Sequence, residues 1–167
     1  MDNEFVNKVD KAGLITLDLN DFIVPGKRVG LDLVDWLDDG LIIKEASFKK
    51  KLDEFNWESM ENSFVAVFCS KNVIIPIWAY LLIQTKLHGI ARQVFFSDIH
   101  TMNLLLFQQK LNTLNIKHYE NKRVFLKVCS GNKIPIGAFA LVSNKLVGSV
   151  KSLFYGEPCS SVPLIKN

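Results

Sequence analysis

The chain has 167 residues, is 49% hydrophobic and 22% charged, and carries five prolines, nine glycines and three cysteines. That profile excludes disorder, linker or collagen-like composition and a disulfide scaffold, and the odd cysteine count points to reduced thiols. A net charge of +3 is too small to call for nucleic acid, Met1-Asp2-Asn3-Glu4 does not start a signal peptide, and every apolar stretch is interrupted before membrane-spanning length. A soluble, cytoplasmic protein with no membrane and no nucleic-acid partner is therefore expected.

Leu14 to Leu19 alternates as a short strand between Gly13 and the turn residues Asn20, Asp21, Pro25 and Gly26, and a second strand is predicted from Arg28 to Val34. Ala46, Phe48, Leu52 and Phe55 space an amphipathic helix over 45–55, on which Lys49-Lys50-Lys51 reads as a solvated face. The apolar run Phe64 to Cys69 is a strand, followed by a loop and a helix that opens at Pro76 and ends at Gly89. A strand from Gln93 to Ser97, a helix from Thr101 to Leu114 and a strand from Arg123 to Cys129 come next. A helix from Pro135 to Val147 and a short strand from Leu153 to Tyr155 complete the series, and the apolar tail after it is expected to dock. Two strands followed by alternating helix and strand predict a single α/β domain with a largely parallel sheet. It would comprise N-terminal strands and a helix (1–60), a first βαβ repeat (61–115) and a second (116–167).

Laid on itself, the chain aligns residues 69–100 with 129–159, first at an offset of 60 and then of 59. Cys69-Ser70-Lys71-Asn72 is matched by Cys129-Ser130-Gly131-Asn132, Pro76-Ile77 by Pro135-Ile136, and Asp98 by Glu157. The same offset sets His100 against Cys159. Shared packing rules account for the apolar matches, and helix capping accounts for Ser, Asn and Pro, but neither demands cysteine.

In a parallel sheet the strand ends share one edge, where ligands of open α/β folds bind. Cys69, Cys129 and Cys159, with His100 or Asp98, can converge there as a tetrahedral set for zinc or as ligands of an iron–sulfur cluster. Inert burial of small hydrophobic thiols is the plain alternative. A third is thiol chemistry, with Cys69 or Cys129 as a nucleophile before a helix N-terminus and Asp98 or His100 as base. Ser70, Asn72, Ser130 and Asn132, with nearby amides and Glu157, are further binding candidates, although no glycine-rich phosphate loop is present. Trp78, Tyr80 and Phe139 read as packing residues, and His88 and His118 as surface residues.

Gly13-Leu14-Ile15-Thr16-Leu17-Asp18-Leu19, Cys69-Ser70 with Pro76-Ile77-Trp78-Ala79-Tyr80, Cys129-Ser130, and the ending Tyr155-Gly156-Glu157-Pro158-Cys159-Ser160-Ser161-Val162-Pro163-Leu164 resemble the small bacterial family catalogued as domain of unknown function 2480. The resemblance spans nearly the whole chain and assigns no catalytic residue. It implies a cytoplasmic protein whose partners are iron–sulfur assembly proteins, and it associates an acidic residue with the region of His100. The expected role is an accessory protein in cluster assembly or metal handling, with a thiol-dependent enzyme and a non-enzymatic interaction module as rivals. A homodimer completing the site is one arrangement of so few ligands.

Overall fold

The computed structural model describes residues 13–127 and 134–166. Cys129, Ser130 and Asn132 lie outside the described residues. The chain divides into two compact units, one of residues 25–103 and the other combining the chain before residue 25 with that after residue 103. The expected α/β class with mostly parallel pairing is present, with the strands divided between two sheets.

In the unit of residues 25–103, β2 (Arg28–Asp32) runs into a short 3-10 turn, Leu33–Trp36. Helix α1 (Glu45–Glu54), a second 3-10 turn (Trp57–Met60), β3 (Phe64–Phe68), α2 (Ile77–Leu87) and β4 (Gln93–Phe95) follow. The strand order is β2-β3-β4, all parallel. Central β3 is buried from Phe64 to Val67, as a parallel strand covered on both faces must be. The start of α1 is held by Asp38, whose Oδ2 accepts from the Lys44 N–H at 2.9 Å and from the Ser47 hydroxyl at 2.6 Å. Phe48 and Leu52 point from α1 into the core, while Ala46, predicted on that face, is exposed. Lys49 and Lys50 are solvated as expected and pair with Glu45 and Glu54, whereas half-buried Lys51 donates to the Asp35 carbonyl.

The other unit repeats this plan. Strand β1 (Leu14–Asp18) enters the 3-10 turn Leu19–Phe22. After α3 (Ile99–Leu111), within which the boundary between the units falls, come a 3-10 turn (Ile116–Tyr119), β5 (Arg123–Lys127), α4 (Ile136–Leu146) and β6 (Ser152–Glu157). Strands β1-β5-β6 are parallel, and β7 (Ser160–Lys166) adds antiparallel to β6. The predicted last strand is thus one arm of a hairpin, and the tail forms a strand whose Ile165 packs on the core while Val162 and Leu164 stay exposed.

The correspondence reaches well beyond the segment that the sequence repeat covers. Trp36 meets Phe48 at 5.3 Å in one core, and Phe22 meets Phe107 at 5.7 Å in the other. Asn62 and Asn121 adopt left-handed φ of 53° and 57° before β3 and β5, a conformation that asparagine tolerates. The Asn62 N–H donates to the Ile90 carbonyl, and that of Asn121 to the Ser149 carbonyl, both at 3.0 Å. Helices α2 and α4 bury Ala79, Ile83 and Leu87 and Ala138, Val142 and Leu146 respectively. The N-terminal strands β1 and β2 are therefore a pair in sequence only, each completing a different sheet.

Among the described residues no helix is long and apolar enough to cross a membrane. Phe48 is fully buried, so Phe48→Ala is expected to lower unfolding stability by about 3–5 kcal/mol, measured by urea denaturation.

Candidate functional site

The C-terminal ends of β2, β3 and β4 form one edge of their parallel sheet, and Asp32, Cys69 and Ser70, and Asp98 and His100 leave from it. Cys69 directly follows β3 and is a half-buried free thiol packed against the unit's core. Tyr80, on the second turn of α2, lies within its field. Burial first, and then the Cys69 thiolate charge, push the phenol above its ordinary value of 10.0. The Tyr80 ring also packs on Phe96 at 5.2 Å, tying α2 to the segment that leaves β4.

Asp32 organises this edge. Its Oδ1 accepts from the Val34 N–H, closing the turn after β2, and from the Ser70 N–H, each at 3.0 Å. Partial burial works against ionisation, but the Ser70 hydroxyl, the Ser70 N–H and the Val34 N–H outweigh it and hold the carboxyl below its ordinary 3.8. One carboxylate thus clamps the residue after Cys69 to the neighbouring strand. Helix α2 itself opens on Pro76 with no side-chain cap, so Ser70 and exposed Asn72 do not perform the capping that the sequence suggests. The physical reason is that Ser70 is already held to β2, seven residues before the helix begins at Ile77.

Asp98 is occupied as well. Its Oδ1 accepts from the Thr101 N–H at 2.8 Å and its Oδ2 from the Thr101 hydroxyl at 3.2 Å, capping α3. The Thr101 N–H chiefly keeps this carboxyl below its ordinary value, against partial burial; the Thr101 hydroxyl and the His100 N–H and charge add to the lowering. His100 is exposed in the first turn of α3.

In the other unit Cys159 is an exposed free thiol at the tip of the β6–β7 hairpin. Gly156 makes this tip possible: its φ is +106°, and a Cβ there would lie 2.6 Å from the Ser160 carbonyl oxygen. Glu157, set opposite Asp98 by the repeat, pairs instead with Lys127 at 2.8 Å. Cys69, Asp98 and His100 therefore share one unit, and Cys159 and Glu157 the other. Among the described residues no three His, Cys, Asp or Glu side chains are gathered as a metal-ligand set. Of the candidates within them, the two thiols are the soft donors, while both carboxylates are already hydrogen-bonded or ion-paired. His88 and His118 are exposed, and Trp78, Tyr80 and Phe139 pack against the cores, as expected.

Sequence analysis passes over Asp32. Its signal is a second internal match, Leu17-Asp18-Leu19-Asn20-Asp21-Phe22 against Leu31-Asp32-Leu33-Val34-Asp35-Trp36. Asp18 closes its own 3-10 turn, accepting from the Asn20 N–H at 2.9 Å.

A family profile matches residues 3–167, that of a protein of unknown function (DUF2480), and the chain belongs to this family. No curated protein and no solved structure matches it.

Asp32→Ala is expected to lower stability at neutral pH by about 1–2 kcal/mol, because three hydrogen bonds are lost. The folded carboxyl titrates below its ordinary value of 3.8, so its contribution is present above that pH and is lost as pH falls through the folded value. Wild type and variant should therefore converge in acid, which denaturant melts at a series of pH values will show.

Proposed function

We propose that this DUF2480 protein is an accessory factor that holds and hands on a soft metal ion, zinc or the iron of an iron–sulfur cluster, through the thiolates of Cys69, Cys129 and Cys159. One observation carries the reading: the two Cys-Ser-x-Asn loops follow β3 and β5, the central strands of two units built to the same plan, although that plan does not need cysteine there. The flanking elements correspond at a constant spacing of 59 residues, whereas the cysteines correspond at 60. A common packing position therefore does not explain the second cysteine.

Each thiol gives up its proton on binding, so occupancy falls as pH drops and transfer proceeds by exchange of one thiolate for another. Free thiols suit a reducing compartment such as the cytoplasm. Iron–sulfur assembly proteins are the partners this role calls for. His100, exposed in its helical turn, is the available non-cysteine ligand; Asp98 would first have to release Thr101.

A thiol enzyme is the second reading, favoured by the half-buried free thiol of Cys69 at the C-terminal edge of the parallel sheet. The Thr101 bonds to Asp98 count against that carboxylate as its base.

Protein purified without oxygen and without a metal-binding tag should contain metal in near-stoichiometric amount, and iron with sulfide and visible absorption if it carries a cluster. Each of Cys69→Ser, Cys129→Ser and Cys159→Ser should lose most of it. Metal-free, folded protein with one rapidly alkylated thiol would replace this reading by the enzyme. Metal-free protein in which all three changes are silent would leave an interaction module.

A further inference from the structure

Both units present an edge at which their parallel strands begin, built to the same plan but not with the same charge. At a spacing of 59 residues the 3-10 turn Trp57–Met60 corresponds to Ile116–Tyr119, β3 to β5, and the start of β4 to that of β6. The backbone agrees: the Arg92 N–H donates to the Ser63 carbonyl and the Lys151 N–H to the Lys122 carbonyl, each at 2.9 Å. On this common frame Asp53 corresponds to Asn112, Glu58 to Lys117, Ser63 to Lys122 and Phe64 to Arg123.

In the unit of residues 25–103 the cations of this edge are used internally. Lys86 pairs with Asp53 at 2.7 Å, Lys27 donates to the Ser59 carbonyl at 2.9 Å, and Arg92 donates to the Pro25 carbonyl and lies over the Phe64 ring. In the other unit Lys145, the counterpart of Lys86, meets the neutral side chain of Asn112 at 3.3 Å instead of a carboxylate. Among the described residues Lys117, Lys122, Arg123, Lys151 and Lys166 form no ion pair. Strand register makes them neighbours, because Arg123, Ser152 and Lys166 lie side by side on β5, β6 and β7, and Lys122 and Lys151 share a backbone hydrogen bond. Like charges held on adjacent strands cost stability, and the first unit shows that the plan does not need them. The small net charge of the chain hides this concentration: residues 104–167 carry nine Lys and Arg against two acidic residues, and residues 25–103 carry nine against ten.

We propose that this basic edge of the second unit docks an acidic segment of another protein. Clustered carboxylates would offset the repulsion among the five cations and steer the encounter. The rest of the edge favours a protein over a phosphate-bearing partner. Only one of the five cations is an arginine, the side chain whose fork grips phosphate. Tyr119 is buried, so its ring is closed to a stacking base. Exposed Glu120 stands among the cations. It would repel the phosphates of a nucleic acid or an anionic membrane, whereas a protein surface of mixed polarity supplies a donor to it.

Fluorescence anisotropy of a labelled short peptide of Asp and Glu, titrated with the full chain at near-physiological salt, tests the proposal. The wild type should bind, and more tightly as salt is lowered. Lys117→Glu with Lys122→Ser gives the edge the residues of the other unit, so the fold should accept them, and circular dichroism checks that it does. This pair should weaken binding about tenfold or more. Lys44→Glu with Lys50→Ser removes the same charge from exposed positions of the other unit and should leave binding unchanged. A wild type that does not bind, a Lys117 and Lys122 variant that binds as well, or an equal loss in the control pair would overturn the proposal. So would tighter binding to duplex DNA or to anionic phospholipid vesicles in parallel titrations.

Discussion

The structure depends on two central strands, β3 and β5, that must be flanked by parallel partners on both sides. Val65 and Val67 in one, and Val124 and Leu126 in the other, are buried in their units' cores. Burying their backbone as well requires hydrogen-bond partners at both edges. On one side the partner arrives through a crossover helix, α2 or α4. On the other it is supplied by a strand from the chain's beginning, β2 or β1. The early strands stand close in sequence yet serve different sheets, so the two units are interleaved along the chain.

The same constraint creates the candidate site. Parallel strands deliver their C-terminal ends to one edge, where backbone groups that no longer pair must find other partners. Asp32 meets this need by accepting from both Val34 and Ser70, which anchors the residue after Cys69 to the neighbouring strand. At the end of β4, Asp98 performs the corresponding task for α3. Asp98 is in this way spent on local backbone and Glu157 on Lys127, which leaves the thiols and His100 as donors.

Much of this was legible beforehand. The helices beginning after Pro76 and Pro135, the apolar strands after Asn62 and Asn121, and the Cys-Ser loops all carry local chemistry that reads without a structure. The hairpin at the chain end was less legible. Pro158 and Pro163 obscure a strand pattern, and β7 is an exposed edge strand that shows little burial alternation. The earlier start of the repeat is hidden in the sequence because its first strand is displaced by 14 residues and the rest by 59, so no single offset reveals both.

By itself the sequence determined the α/β class, the order of helices and strands up to β6 and the repeated Cys-Ser pairs, because propensity, periodicity and capping act over a few neighbouring residues. Only the tertiary structure decided that β1 and β2 separate into two sheets, that Asp32 holds Ser70, and that Glu157 pairs with Lys127. Those outcomes depend on hydrogen bonds and ion pairs between groups whose spacing along the chain carries no local signal, such as the 38 residues between Asp32 and Ser70.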